Sequence, residues 1–252
     1  MSKKIIFSAG GTGGHIFPAI NLMKHFFNKG YKVLLVTDTR GNNFIKNYSE
    51  FQSYALRVET STNKNFLSKM LSWVIIFHSL LKLVIIIKKE NADLIFGFGG
   101  YVSFPISFVS KFFDLPLVIY ENNMVLGRTN KYLSSFSKKI LVAKKIVKNF
   151  PEKYKDKVYQ VGPILDKNLI NYSVSKKNDN KENFSILVLG GSQGTEIFGI
   201  IVPPVVKMIK DEGYKIEINQ QCIENQKDSL MNFYGKNNIR NKRIKTAYFR
   251  YG

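Results

Sequence analysis

The chain has 252 residues, of which 38 are Lys or Arg and 18 are Asp or Glu, so its formal net charge is +20. Hydrophobic residues make up 44% and charged residues 22%, which is ordinary for a globular protein and excludes a disordered chain. The single cysteine, Cys222, excludes a disulfide framework, and three histidines leave little for a metal site. We therefore expect no metal and a reducing compartment.

The positive charge is compatible with binding to nucleic acid or to an anionic membrane surface. The lysines are spread along the chain, and the sequence contains no RNP motif, zinc finger or basic zipper. A general enrichment in Lys, Asn, Ile, Phe and Tyr explains part of the charge without any function. We expect no nucleic-acid partner.

The first element is a strand at 4–8, which runs into a glycine-rich loop at 10–14. A helix is predicted over 17–28, and the next strand, at 32–37, ends at Asp38. A glycine loop between a strand and a helix lets a ligand approach the backbone, and the free N–H groups of the helix N-terminus hold an anion.

The most apolar segment is 70–87, which has the length of a membrane span. His78 and Lys82 lie inside it, and a charge at mid-bilayer is costly. We interpret the segment as a buried or half-buried helix that also touches a membrane surface.

Short apolar runs separated by helical stretches continue along the chain, and they predict a parallel sheet covered on both faces. The strands are expected at 54–58, 93–96, 117–120, 139–142 and 158–161. In such sheets ligands bind at the carboxyl ends of the strands, where the sequence places the loops 97–105 and 121–123.

Residues 171–183 are polar, and the strand–glycine loop–helix pattern then restarts. Strands are predicted at 184–189, 215–219 and 244–249, with a helix over 197–210 that Pro203 and Pro204 kink or delay. We predict an α/β chain with a first domain at 1–163, a linker at 164–183, and a second, incomplete domain at 184–252.

The glycine loop fits neither common nucleotide fingerprint. No Gly-Lys-Ser/Thr follows, so it is not a P-loop, and Ile16 breaks the G-x-G-x-x-G spacing. Asp38 could hold a ribose, which keeps a nicotinamide-dependent oxidoreductase open as an alternative.

His15 and Glu121 are the candidate catalytic groups. His15 lies in the first turn of the predicted helix, where the dipole disfavours its cation, so a neutral imidazole could accept a proton. Glu121 ends a strand at the same sheet edge and could act as a base or hold a sugar hydroxyl, while Asn123 could read hydroxyl or amide groups. The residues leave the choice of base between His15 and Glu121 open.

Four runs come in order along the chain and together closely resemble the MurG family. They are Gly-Gly-Thr-Gly-Gly-His-Ile-Phe-Pro-Ala at 10–19, Gly-Phe-Gly-Gly-Tyr-Val-Ser-Phe-Pro at 97–105, Tyr-Glu-Asn-Asn-Met-Val-Leu-Gly-Arg-Thr-Asn at 120–130 and Gly-Gly-Ser-Gln-Gly-Thr at 190–195. One glycine loop would be weak evidence, but four in this order are specific.

The resemblance implies a GT-B fold of two Rossmann-like domains. It implies an inverting transfer of N-acetylglucosamine from UDP-N-acetylglucosamine to undecaprenyl-pyrophosphoryl-N-acetylmuramoyl-pentapeptide, with no cofactor, in peptidoglycan synthesis and hence in cell shape and division. By position, the donor would contact Thr12, Gly13, Gly14, Asn123, Ser192 and Phe249. His15 and Glu121 would be catalytic, and the acceptor side would include Tyr101 and Asn130.

The family also attaches peripherally to the cytoplasmic face of the bacterial inner membrane. The segment 70–87 and its flanking lysines fit that role, which gives the charge a use on an anionic leaflet.

The chain departs from the family pattern in places. An arginine is missing after Gly162-Pro163-Ile164, where Leu165 stands, and Gln220-Gln221-Cys222 replaces a His-Gln-Ser/Thr run. The family's Ala-Leu-Thr-Val-Ser-Glu donor loop does not occur in these residues. We therefore expect the 252 residues alone to bind UDP-N-acetylglucosamine weakly and to transfer poorly, and a non-catalytic remnant that keeps the acceptor domain stays an alternative.

Overall fold

The structure, a computed structural model, describes residues 2–10, 13–56, 66–145, 147–170, 183–190 and 195–246, with the backbone alone at 66–77, 183 and 242–246. The chain divides into two compact units, Met1–Tyr172 and Ser173–Gly252. The domain bounds drawn from the sequence stay a prediction.

The first unit is built on a seven-stranded sheet in which every pair of neighbours is parallel, in the order β3-β2-β1-β4-β5-β6-β7. The strands are β1 (Lys4–Ser8), β2 (Lys32–Asp38), β3 (Gln52–Leu56), β4 (Leu94–Gly97), β5 (Leu117–Glu121), β6 (Lys139–Val142) and β7 (Val158–Gln160). The order reverses direction between β1 and β4, which is where doubly wound sheets bind ligands.

Helices cover both faces of this sheet, as the continuous apolar strands predict. They are α1 (Gly13–Asn28), α2 (Thr39–Ile45), α3 (Phe66–Glu90), α4 (Ser103–Ser110), α5 (Arg128–Leu133) and the short α6 (Lys167–Ile170), with 3-10 turns at Lys111–Phe113 and Glu152–Lys157. Successive side chains of a strand point to opposite faces, so Phe7 packs in one core cluster with α1 and Ile6 in the other with α3 and α4.

The second unit carries a three-stranded parallel sheet in the order β10-β9-β8 within the described residues. Its elements are β8 (Asn183–Val188), α7 (Glu196–Asp211), β9 (Lys215–Cys222), a 3-10 turn (Glu224–Gln226), α8 (Lys227–Lys236) and β10 (Arg240–Thr246). Its core is centred on Val206, Ile218 and Tyr234.

Two predicted helices begin earlier than the sequence indicates. α1 begins at Gly13 and not at residue 17, because the first N–H groups of a helix need no partner within it and glycines can occupy them. α7 begins at Glu196 and runs through Pro203 and Pro204, so the predicted late start is wrong. The side-chain amides of Gln220 and Gln226 donate to the carbonyl groups of Phe198 and Glu196, which ties the first turn of α7 to β9 and to the 3-10 turn before α8.

Two strands shift relative to their predicted positions. β3 covers Gln52–Leu56, and β10 covers Arg240–Thr246, so part of each predicted run lies outside the described residues. Among the described strands, each lies at the edge of its sheet, and an edge strand can carry exposed polar residues such as Gln52 and Arg240, so hydrophobicity marks its bounds poorly.

Over the part of the chain that the structure describes, no helix is both long and apolar enough to cross a membrane. In α3 the interpretation of a half-buried helix holds for its described side chains. Leu83 and Ile87 are buried, Leu81 and Ile85 are exposed, and Lys82 donates to the carbonyl of Ala55 at 3.3 Å.

A buried carboxylate lies at the end of the sheet where β1 begins. Glu90, the last residue of α3, accepts hydrogen bonds from Lys4 at 3.0 Å, from Gln52 at 3.2 Å and from the Tyr54 hydroxyl. Burial raises the pKa of Glu90, but the bonds from Tyr54 and Lys4 outweigh burial, so its pKa lies below the ordinary value. The same bond raises the pKa of Tyr54.

We expect Tyr54→Phe to lower the free energy of unfolding by about 1–2 kcal/mol at pH 7, because a bond to a charged acceptor is lost. A carboxyl whose folded pKa is depressed stabilises the protein above its unfolded pKa, and this contribution disappears as the pH falls through the folded pKa. The loss should therefore shrink below about pH 4. Urea unfolding at both pH values measures it, with the exposed Tyr132→Phe as control. An equal loss at both pH values would contradict the assignment.

Candidate functional site

Two glycine-rich loops meet at the point where the strand order reverses. One follows β1 at Gly10, and the other follows β4 at Gly99 and Gly100, which have φ angles of +84° and +79°. A Cβ atom at Gly100 would lie 2.9 Å from the carbonyl oxygen of Gly10, and one at Gly10 would lie 2.6 Å from Val102 Cγ2. The two backbones therefore approach more closely than residues with side chains allow.

A buried serine fixes this approach. The hydroxyl of Ser103, the first residue of α4, lies 2.7 Å from the carbonyl oxygens of both Ser8 and Gly99. Ser8 ends β1, so the bond ties the start of α4 to the neighbouring strand. The sequence analysis did not single out Ser103, although it lies in the motif at 97–105.

His15 is the third residue of α1 and is half-buried. A Cβ at Gly99 would lie 3.3 Å from both Cδ2 and Nε2 of its ring, and a Cβ at Gly100 would lie 3.8 Å from Nδ1. Burial lowers the pKa of His15, while the charge of Glu121 and a hydrogen bond with the Gly10 backbone act in the opposite direction. The net lowering favours a neutral imidazole at neutral pH, as the helix position predicts.

Glu121 is the last residue of β5 and only 2% exposed. Its Oε1 accepts from the backbone N–H of Asn123 at 2.9 Å and from Asn123 Nδ2 at 3.0 Å. Its Oε2 accepts from the backbone N–H of Gly127 at 2.9 Å and from Asn130 Nδ2 at 3.0 Å. The carboxylate thus holds the whole turn between β5 and α5.

Asn130 is also 2% exposed and connects Glu121 to the glycine loop. Its Nδ2 donates to Glu121 and to the carbonyl of Tyr120 at 3.1 Å, and a Cβ at Gly99 would lie 3.4 Å from it. These two acceptors fix the orientation of the amide, since the flipped form would place oxygen against oxygen. Its Oδ1 is buried and has no hydrogen-bond partner among the described residues.

The structure thus places two predicted residues, His15 and Asn130, beside Gly99, and a third, Glu121, is joined to them by its hydrogen bond with Asn130. Asn123 is exposed and bound to Glu121, and Tyr101 is 68% exposed beside the loop that contains Gly99. Gly13 is buried and Gly14 exposed at the start of α1. The remaining predicted residues, Thr12, Ser192 and Phe249, lie outside the described residues.

Asp38 has a structural partner. Its carboxylate accepts from the backbone N–H of Gly41 at 2.7 Å and forms the N-cap of α2. This capping explains an acidic residue at the end of β2 without any ribose, which weakens the nicotinamide alternative.

Within the described residues, no group of three or more His, Cys, Asp or Glu side chains could hold a metal ion. At the position where the resemblance lacks an arginine, Leu165 is exposed, and the next residue, Asp166, has its carboxylate 3.6 Å from Lys24 Nζ.

The second unit has its own glycine loop after β8. The backbone N–H of Gly190 donates to Gln221 Oε1 at 3.0 Å, and the Thr195 hydroxyl donates to the Gly190 carbonyl at 3.0 Å. The role of Gln221 was not predicted, because only the pairing of β8 with β9 brings it to this loop.

Comparisons with known proteins agree with one another. Residues 5–142 match the glycosyltransferase family 28 N-terminal domain. A Rickettsia felis protein named "UDP-N-acetylglucosamine--N-acetylmuramyl-(pentapeptide) pyrophosphoryl-undecaprenol N-acetylglucosamine transferase" is 34% identical over 94% of this chain and 67% of its own length. A Pelagibacter ubique protein of the same name is 32% identical over 95% of this chain and 65% of its own length. The chain thus spans about two thirds of the length of these relatives.

Solved structures show the same fold. Acinetobacter baumannii MurG superposes with a TM-score of 0.68 at 23% identity, covering 99% of this chain and 69% of that one. A Staphylococcus aureus MnaA–UDP complex superposes with a TM-score of 0.60 at 15% identity, covering 97% and 68%. The expected GT-B architecture with an incomplete second domain is confirmed.

We expect Gly99→Ala to destabilise the protein and to displace the His15 ring, because the new methyl would meet that ring at 3.3 Å. Gly30→Ala is the matched control, since Gly30 also has φ +84° but no atom within 4 Å of its added Cβ. Strain alone costs roughly 1–2 kcal/mol at each position. Urea unfolding and the imidazole NMR signals of His15 measure the difference. Equal losses with unmoved signals would contradict this packing.

Proposed function

Because this chain belongs to glycosyltransferase family 28, in the branch named for transfer of N-acetylglucosamine to pyrophosphoryl-undecaprenol-linked N-acetylmuramyl-pentapeptide, we propose that it catalyses this transfer. The donor is UDP-N-acetylglucosamine, the acceptor is lipid I, and the product is lipid II of peptidoglycan synthesis. This reaction supplies the cell wall and thereby supports cell shape and division. The observation that carries the proposal is the half-buried His15, whose pKa burial lowers, between two glycine loops at the switch point of the sheet.

The chemistry follows from this geometry. The C4 hydroxyl of the acceptor sugar attacks C1 of N-acetylglucosamine, and the bond between C1 and the diphosphate oxygen of UDP breaks with inversion. His15 accepts the hydroxyl proton, for which a neutral imidazole is required. The first N–H groups of α1 have no acceptor within the helix and would stabilise negative charge on a diphosphate, so the proposal requires no metal.

The predicted contacts distribute over two substrates. On the donor side we propose Thr12, Gly13, Gly14, Asn123, Ser192 and Phe249, and on the acceptor side Tyr101 and Asn130. The exposure of Gly14, Asn123 and Tyr101 supports these roles, since a contact residue must be reachable.

We further propose that the first unit attaches to the cytoplasmic face of the inner membrane through α3 and α4. Phe104, Phe108 and Phe112 follow each other at helical spacing, are all exposed, and contact one another ring to ring. Leu81 and Ile85 of α3 add exposed apolar surface, and α3 packs against α4. Exposed Lys88 and Lys89 at the end of α3, and Lys111 in the 3-10 turn after α4, would bind anionic headgroups.

A remnant that keeps only the acceptor function is the second candidate, because the described part of the second sheet has three strands where the first has seven. Incubating the protein with UDP-N-acetylglucosamine and lipid I separates the two. Formation of lipid II and UDP supports the transferase, whereas retained lipid I binding without any lipid II supports the remnant. Binding of neither substrate would contradict both.

We expect His15→Gln to lower the rate of transfer roughly 10²–10⁴-fold, the usual contribution of a positioned general base. The measurement is the ratio of initial rates of lipid II formation, which does not depend on how fast these 252 residues turn over. His25→Gln is the control, because His25 lies near the end of α1 beside Phe26. A His15 variant as active as the His25 variant would refute the assigned base.

We expect the double variant Phe108→Ser and Phe112→Ser to bind vesicles of anionic phospholipid at least tenfold more weakly, because each aromatic contributes about 1.5–3 kcal/mol on burial. Binding of the unaltered protein should also weaken with salt. Co-sedimentation measures both effects. Phe27→Ser is the control, since Phe27 is similarly exposed but lies on α1, across the sheet. If the control binds as weakly as the double variant, the attachment surface is elsewhere.

A further inference from the structure

We propose that Glu121 is a positioning residue of this site, which organises the groups around His15, and that it does not itself accept the proton of the acceptor hydroxyl. This inference rests on the proposed function. It selects His15 over Glu121 as the base, a choice that the sequence left open. It assigns Glu121 a positioning role instead.

The Glu121 carboxylate accepts hydrogen bonds at all of its lone-pair sites. An ionised carboxylate has about four lone-pair sites. In Glu121 four N–H groups at 2.9–3.0 Å point at them, two on each oxygen. With the side chain 2% exposed, no lone pair is left for a sugar hydroxyl. A proton taken up by Glu121 would also have to displace one of these donors, which makes the group a poor general base.

The four hydrogen bonds to Glu121 hold the turn after β5 and the start of α5 in place. The bond to the N–H of Gly127 fixes the residue that caps α5, and the bond to Asn130 orients a side chain of that helix. The two bonds to Asn123 hold both its backbone and its amide nitrogen. One charge therefore sets the position of the proposed donor contact and of the proposed acceptor contact together.

The arrangement around Glu121 extends to His15. Asn130 Nδ2 and His15 Nε2 lie 3.4 Å and 3.3 Å from the position that a Cβ on Gly99 would occupy, and Asn130 Nδ2 also donates to Glu121, so the carboxylate, the amide and the ring form a connected series. The Asn130 amide presents its buried, unpartnered Oδ1 in this cluster. An imidazolium formed at His15 would face the charge of Glu121 and the carbonyl of Gly10, while the N-terminus of α1 opposes it.

The test compares Glu121→Gln with Glu90→Gln. Both replace a buried, hydrogen-bonded carboxylate by its neutral isostere, but Glu90 lies at the opposite edge of the same sheet. Two measurements need no activity. They are the hydrogen exchange of the Gly127 amide and the NMR titration of His15, which is traceable among three histidines.

In Glu121→Gln we expect faster exchange at Gly127 and a lower His15 pKa, because a donor-bearing amide replaces the acceptor and the negative charge is removed. Glu90→Gln should change neither. The pH profile of kcat/KM adds the distinction between the roles. If Glu121 positions His15, the acidic limb of the profile persists in Glu121→Gln and moves to lower pH, with kcat/KM reduced roughly 100-fold. If Glu121 is the base, the limb disappears, and the proposal falls.

Glu121→Asp covers the case in which Glu121→Gln does not fold. It keeps the charge on an arm one methylene shorter, which cannot reach all four donors. We expect faster exchange at Gly127 with the His15 titration close to that of the unaltered protein. Unchanged Gly127 exchange in either variant overturns the proposal. Absence of transfer by the unaltered protein would refute the proposed function but would leave the exchange and titration results standing.

Discussion

The close approach of two backbones at the sheet's switch point is the constraint on which the site depends. No side chain fits between the carbonyl of Gly10 and the Cα of Gly100. The Ser103 hydroxyl also joins the two segments, through the carbonyl oxygens of Ser8 and Gly99. This contact brings the first turn of α1 against the loop after β4. The His15 ring lies against this loop, and burial lowers its pKa.

A second, electrostatic layer lies next to the first. Glu121 is a buried charge, and buried charges persist where hydrogen bonds replace the water that is lost. Its four donors come from the turn after β5 and from α5, so the same bonds that stabilise the charge also order the turn. At the opposite end of the strands, the buried carboxylate of Glu90 is stabilised by side-chain donors instead.

The two faces of the first sheet have different roles in the proposed function. The face with α1 and α2 positions the glycine loop, while the face with α3 and α4 presents exposed aromatic side chains next to lysines. In the proposed function the acceptor is a lipid, so an apolar, basic surface on the domain that carries His15 brings the enzyme to its substrate. Under this proposal, membrane attachment would account for part of the net charge of +20.

The sequence by itself determined the parallel sheet, the strand–loop–helix units and the family, because hydrophobic periodicity and glycine placement are local properties of the chain. It also placed His15 in the first turn of a helix and Glu121 at the end of a strand. The bounds of β3 and β10 and the helix that continues through Pro203 were missed, because they depend on strand pairing and on the packing of α7 against β9. Only the tertiary structure decided that Glu121 is saturated by four donors and that Asn130 and His15 both lie beside Gly99. These contacts join residues from different strands and loops, and their distances depend on packing that no local pattern encodes.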